Sequence, residues 1–302
     1  SAFSYFQKAA EEKYSKAYYN LGVCYSNGYG TDIDDEKALE YFQLVEDENI
    51  EAKAYVGYYN YRGWGGLEIN KEKAMEIYKL CESKDSVMSL FFQAIYYLNE
   101  KDIDDHYEKA VEFCNRAIDA GYEKAYGVLG LCYFSEDASE FDQEKAYDNF
   151  EKGEAADSDY ALYGLGRCYQ EGYIVDIDKS KAVSYYERAS AYGNSDAWYY
   201  LGECYYYGRG VEVNYEKAVK YYELSASRGD NRAMDMLGTC YYSGNGTGGK
   251  ADVRKAFEWY ERAAALDNMS AQYSLAALYY NGDGTAKNTE KAFELFKKPA
   301  EN

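Results

Sequence analysis

Small and apolar positions recur along this chain in one repeating phase. The segments NLGVCYSNGYG, LYGLGRCYQEG, YLGECYYYGRG, DMLGTCYYSGNG and SLAALYYNGDG share a small-residue column, which across the chain reads Gly22, Gly57, Ala94, Gly130, Gly166, Gly202, Gly238 and Ala276. Successive spacings are 35, 37, 36, 36, 36, 36 and 38 residues. A second column, each time after a Lys, runs Ala38, Ala74, Ala110, Ala146, Ala182, Ala218, Ala256 and Ala292, spaced 36 apart except for one interval of 38. Two columns held in phase over eight copies predict a repeat architecture rather than several unrelated domains.

Each unit reads as two helices. In the first, Ala197, Leu201, Gly202 and Tyr205 form one stripe at helical spacing, and a Gly-x-Gly such as Gly208 and Gly210 ends it, since glycine accepts the left-handed conformation past a helix end. The second helix opens on Asp34, Asn70, Asp142, Asp178, Asn214, Asp252 or Asn288, each four residues before the column Ala, where a short polar side chain caps free amides. At the remaining place stands His106, after Asp104 and Asp105, read as a helix-start residue without chemistry. Ala218, Tyr221, Tyr222 and Ser225 supply the buried face of the second helix. The expected fold is all-α, a right-handed superhelical solenoid of antiparallel helix pairs, because each pair buries its apolar face only against its neighbours.

The pattern A-x-x-x-L-G-x-x-Y-x-x-G-x-G followed by D/N-x-x-K-A-x-x-Y-Y-x-x-A resembles the Sel1-like repeat family, a relative of the tetratricopeptide repeats, and the resemblance covers essentially the whole chain. It implies an adaptor or scaffold that gathers partner proteins and leaves the partner open. Residues 88–123 and 124–159 depart from it, lacking both loop glycines and reading LNEKDID and FSEDASE, so those loops are expected to close differently. GNGTGGK gains two residues, read as a tolerated loop tip and not as a phosphate loop, since no strand precedes it. Ala2 precedes Ala38 by 36, so residues 1–16 are read as a second helix and the chain as one solenoid, a leading half repeat plus eight repeats over 17–302, excised from a longer protein.

Composition narrows the function. Lys and Arg number 33 against 53 Asp and Glu, a net charge of −20, and no basic run is present. Phosphate backbones and anionic membrane surfaces are therefore poor partners. No stretch has the ~20 apolar residues of a membrane span, and no leader pattern opens the sequence. Forty Tyr and a single His leave much of the packing to rings that carry a hydroxyl, and argue against His-dependent catalysis or a multi-His metal site.

Five cysteines share a column, Cys24, Cys132, Cys168, Cys204 and Cys240, with Cys81 and Cys114 on second helices. Copies one helix layer apart stand about 8–10 Å from one another, beyond disulfide reach. The expectation is reduced, buried thiols in a reducing, cytoplasmic compartment. This differs from the cysteine-rich bacterial branch of the resembled family, where each unit carries a bridging pair. The acidic groups Asp32, Asp34, Asp35 and Asp102, Asp104, Asp105 lack calcium-loop spacing and read as caps and solvated charge. The sequons at Asn245 and Asn268 carry little weight. No nucleophile motif is present, so neither a catalytic residue nor a cofactor is assigned.

The residues left over on the first helices, which line the concave face of helix-pair solenoids, are the candidate readers. Three before the column stand Tyr19, Phe91, Tyr163, Tyr199 and Tyr273, interrupted by Ala54, Gly127 and Asp235. Four after it stand Tyr61, Leu98, Phe134, Tyr206, Tyr242 and Tyr280, with Arg62, Arg167, Glu171, Glu203 and Arg232 interleaved. Rigid amphipathic rings along one face suit an extended peptide or a helix of a partner protein. Two other readings are self-association through uncapped ends bearing Phe3, Phe6, Phe293 and Phe296, and a regulatory module for an enzyme elsewhere in the full-length chain.

Overall fold

The computed structural model describes residues 2–135 and 141–297, and among them every regular element is an α-helix. In chain order these are α1 (Ala2–Glu11), α2 (Ser15–Asn27), α3 (Asp35–Gln43), α4 (Ile50–Arg62), α5 (Lys71–Glu82), α6 (Val87–Asn99), α7 (His106–Asp119), α8 (Ala125–Phe134) and α9 (Gln143–Ala155). There follow α10 (Asp159–Glu171), α11 (Lys179–Ser190), α12 (Ser195–Tyr207), α13 (Tyr215–Ser227), α14 (Asn231–Ser243), α15 (Val253–Ala265), α16 (Met269–Asn281) and α17 (Thr289–Lys297). They form two compact units: α1 to α10 with residues 188–194, and residues 179–187 with α12 to α17. In the first unit α2 packs on α3, α4 on α5, α6 on α7 and α8 on α9; in the second, α12 packs on α13, α14 on α15 and α16 on α17. The architecture is an all-α solenoid of helix pairs.

The glycine column explains how close the two helices of a pair come. A methyl group at Gly202 would lie 2.4 Å from the ring of Tyr222, and one at Gly238 would lie 2.6 Å from the ring of Tyr260. The ring that fills this space stands four residues after the column Ala: Phe42 at Gly22, Tyr78 at Gly57, Phe150 at Gly130, Tyr222 at Gly202 and Tyr260 at Gly238, each buried. Where the column residue is Ala94, the ring position holds the smaller Cys114, fully buried. Where it is Ala276, Phe296 stays 37% exposed. Small residue and ring are thus matched pair by pair, as close packing requires.

The second helices start where the sequence places them. The side chains of Asp34, Asn70, Asp142, Asn214, Asp252 and Asn288 each accept a hydrogen bond from the amide three residues on, at 2.9–3.1 Å. At His106 the device differs: Asp105 precedes it in left-handed backbone, φ 57°, with no side-chain cap, and His106 Nδ1 lies 3.1 Å from the carbonyl of Tyr97. First helices end on glycines of positive φ, among them Gly28, Gly63, Gly172, Gly244 and Gly282. The second glycine of the loop has its own task. Gly210 lies so near the preceding second helix that a Cβ would come within 2.3 Å of the carbonyl of Lys179, and Gly246 stands alike toward Tyr215.

In GNGTGGK, Gly246 keeps that docking while Gly248 and Gly249 face open space, so the two added residues are accommodated at the tip. In the glycine-poor third repeat α6 ends at Asn99 with Glu100 at φ −93°, a closure without the left-handed turn. Of the fourth, residues 136–140 lie outside the described residues. At the start of the chain α1 ends at Glu11, and Ser15 and Lys16 already belong to α2.

Adjacent repeats are stitched at the starts of their first helices. In the first unit, Glu51 accepts from the Ser86 hydroxyl (2.7 Å) and from the amides of Val87 (3.1 Å) and Met88 (3.0 Å), so α4 caps α6. Further on, Ser158 Oγ donates to the Lys124 carbonyl (2.8 Å) and Asn194 Nδ2 to Asp159 (3.0 Å). In the second unit, Arg232 Nη2 donates to Asp196 (2.6 Å), Asn231 Nδ2 to the Leu266 carbonyl (2.7 Å) and Asn268 Nδ2 to the Asn231 carbonyl (3.1 Å). The sequon residue Asn268 is therefore committed to this ladder and to capping α16.

Candidate functional site

The candidate readers lie on first helices, at positions six and three before and one and four after the column residue, save Arg62 and Glu171, which stand five after it. Within one helix the first four positions share a single stripe. The two units treat the stripe differently.

In the first unit the rings are drawn into packing. Tyr19 lies against Phe42 and Tyr55, at 6.2 and 6.1 Å between centroids, and burial, aided by the charge of Glu51, pushes its hydroxyl up to about 12. Tyr61 is buried, meets Tyr96 at a tilt of 57° and donates its hydroxyl to Glu100 (3.1 Å), which also holds Lys71 (2.7 Å). Arg62 lies over the ring of Trp64, 5.1 Å from its centroid. Phe91 is buried beneath Tyr122 (4.9 Å) and Tyr160 (6.2 Å), and Leu98 packs partly buried against the same cluster. Tyr163 is buried and accepts from Arg167 (3.1 Å), whose guanidinium covers Phe134; the Phe134 ring meets Phe150 and Tyr173 edge-on. Glu171 is exposed and accepts from Gln170.

Part of this closure comes from far along the chain. Tyr29 meets Tyr192 edge-on at 5.9 Å, and Gly193 packs near Asn27 and Ile33. Burial and the nearby Asp159 raise the Tyr29 hydroxyl above its ordinary range. Burial likewise raises the carboxyl of Asp159, against the opposing pull of Asn194 and Lys124.

In the second unit the stripe is open. Tyr242, Tyr273 and Tyr280 are 47%, 48% and 56% exposed. Tyr206 is half-buried between Tyr207 and Tyr215, its hydroxyl accepting from Asn245 (3.3 Å). Tyr199 lies under Arg232, 4.4 Å from ring centroid to guanidinium. Burial works against the Arg232 charge, but Asp230 and Asp196 outweigh it and hold the guanidinium firmly protonated. Glu203 accepts from the buried Tyr222 hydroxyl (3.0 Å) and faces Arg209 (3.5 Å); burial raises its carboxyl despite both. Each of the five interleaved charges, Arg62, Arg167, Glu171, Glu203 and Arg232, thus has a partner within the chain.

Toward the ends of the sequence, Phe3 meets Tyr25 edge-on at 5.4 Å and Phe6 is half-buried, while Phe293 is exposed beneath Lys297. Among the described residues no three His, Cys, Asp or Glu side chains are grouped to hold a metal ion, and no helix is long and apolar enough to cross a membrane.

Comparison with known proteins agrees with this architecture. Sel1 repeat matches fall at residues 1–14, 15–44, 50–80, 93–122, 159–194, 195–230, 231–268 and 270–302. The gap from 123 to 158 covers the glycine-poor fourth repeat. Mouse and rat DAP3-binding cell death enhancer 1 are each 59% identical to this chain over 39 residues, 13% of this chain and 8% of their own length. The chain is therefore matched to a small part of those relatives. Among solved structures, a Sel1 repeat protein from Oxalobacter formigenes is 25% identical, with a TM-score of 0.61 over 84% of this chain and 99% of its own. The protective antigen c5321 of uropathogenic Escherichia coli, which displays an SLR fold, is 26% identical with a TM-score of 0.53, over 99% of this chain and 64% of its own. Matched over well more than half its length, on helices paired as the repeat pattern requires, the chain belongs to the Sel1 repeat family, whose members generally act as protein-interaction scaffolds.

Proposed function

We propose that this chain is a scaffold that captures a peptide segment or helix of a partner protein on the first-helix stripe of its second unit. The observation that carries the reading is the contrast in exposure along one sequence-equivalent stripe: Tyr61, Phe91 and Tyr163 are buried, whereas Tyr242, Tyr273 and Tyr280 are about half exposed. Exposed rings on a rigid helical face supply contact area at small entropic cost and concentrate binding energy in few residues. Tyr199 and Tyr206 extend the same stripe by one repeat, and Arg62, Phe134, Arg167 and Tyr19 serve the packing of the first unit.

The test is affinity capture from native lysate with the wild-type chain and a Tyr242→Ala/Tyr273→Ala/Tyr280→Ala variant, with circular dichroism confirming that both are folded. A protein retained by the wild type and lost from the variant is the expected result. Equal retention by both removes the stripe from consideration.

A further inference from the structure

The −3 column of the second unit reads Tyr199, Asp235, Tyr273, a carboxylate between two ring-bearing repeats. Asp235 is half-buried, and burial raises its carboxyl in spite of a hydrogen bond from the Ser270 hydroxyl. Its Oδ1 is buried with no protein hydrogen-bond donor among the described residues.

The preceding step along the array shows what is missing. There the −3 residue Tyr199 is covered by the residue six before the next repeat's column, Arg232, which also bonds to Asp196 and Asp230. One repeat on, the same position is Ser270, so the cation is replaced by a neutral hydroxyl just where a carboxylate replaces a ring. A half-buried carboxylate without a basic partner is costly to the folded chain, and its charge is satisfied if a cation arrives from outside.

Resting on the peptide-capture reading above, we infer that the occupant of this stripe is a basic segment of a partner protein, one Lys or Arg side chain seated on Asp235 between the rings of Tyr199 and Tyr273. The carboxylate charge is shared by both oxygens, so a cation that meets Oδ2 neutralises it while Oδ1 stays on the buried side. The half-exposed Tyr273 ring suits the same group, since an aromatic face attracts a cation and covers its aliphatic stem, while the Tyr199 face already holds Arg232. The net charge of −20 attracts such a segment at long range, and Asp235 fixes where one of its cations ends.

The test is selection of random phage-displayed peptides on the full chain and, in parallel, on its Asp235→Asn variant. Because that substitution removes a charge that burial disfavours, the variant is expected to remain folded. Wild-type selections should enrich Lys or Arg at one fixed position, and the enrichment should vanish with Asp235→Asn. The best peptide, followed by fluorescence anisotropy, should bind Asp235→Asn about tenfold more weakly and bind Glu258→Gln, the same charge change on an exposed site of α15, as tightly as wild type. Equal losses in the two variants, or enriched peptides without a fixed basic position, overturn the inference; the capture reading survives if those peptides still depend on Tyr242, Tyr273 and Tyr280. Absence of any enriched peptide, or binding indifferent to all three rings, overturns both.

Discussion

At Gly238 the atoms nearest to an added methyl belong to the ring of Tyr260, at 2.6 Å, and Ala94 with Cys114 shows the alternative pairing inside the same chain. Ala normally improves a helix over Gly by about 1 kcal/mol, so the sign of Gly238→Ala reports whether the ring can move. Tyr260 is buried and its hydroxyl lies 3.1 Å from Thr239 Oγ1, which anchors it against withdrawal. Gly238→Ala should therefore destabilise the protein, overpacking costing about 1–3 kcal/mol. In a Tyr260→Cys background the same change should be neutral or stabilising, giving a large coupling in a urea-unfolding double-mutant cycle. Additive effects would show that the ring does not select the glycine.

A first helix in this chain is held at its start by the repeat before it. Glu51 takes the Ser86 hydroxyl and the amides of Val87 and Met88, which are otherwise unbonded donors at the start of α6. Glu51→Ala should cost about 1–2 kcal/mol, as for the loss of a helix cap, and speed amide hydrogen exchange at Val87 and Met88 more than at the distant start of α14. The caps of second helices were legible in the sequence because Asp or Asn stands at a constant offset from the column Ala. The stitching was not, because its partners change from repeat to repeat: Glu51 with Ser86, Asp159 with Asn194, Asp196 with Arg232. A further column was there to be read. Asp85, Gly121, Asp157, Gly193, Gly229 and Asp267 all take positive φ in the turns between repeats, Asp and Gly being residues that tolerate the left-handed region.

Repeat phase is a local signal, and across the whole molecule it assigned equal roles to residues that the fold treats unequally. In the first unit Phe91 meets Tyr160 and Tyr29 meets Tyr192, contacts that reach beyond the next repeat and that no thirty-six-residue pattern contains, so from the sequence Tyr61, Phe91 and Tyr163 read as equivalent to their exposed counterparts. The cysteines are the opposite case, since their environment follows from the repeat alone. All seven are free and buried in the structure. Burial pushes the thiols of Cys168, Cys204 and Cys240 up to about 12 and that of Cys81 up to about 11, and the thiolate, not the thiol, attacks disulfide reagents. With Ellman's reagent at neutral pH the native protein should therefore show no fast-reacting thiol, while all seven should react in denaturant. Because a buried thiol must be uncovered before it reacts, the slow native rates should rank the repeats by local opening free energy. A thiol that reacts at the denatured rate in the native protein would mean that its repeat is open in solution and that the column does not lie in a continuous core.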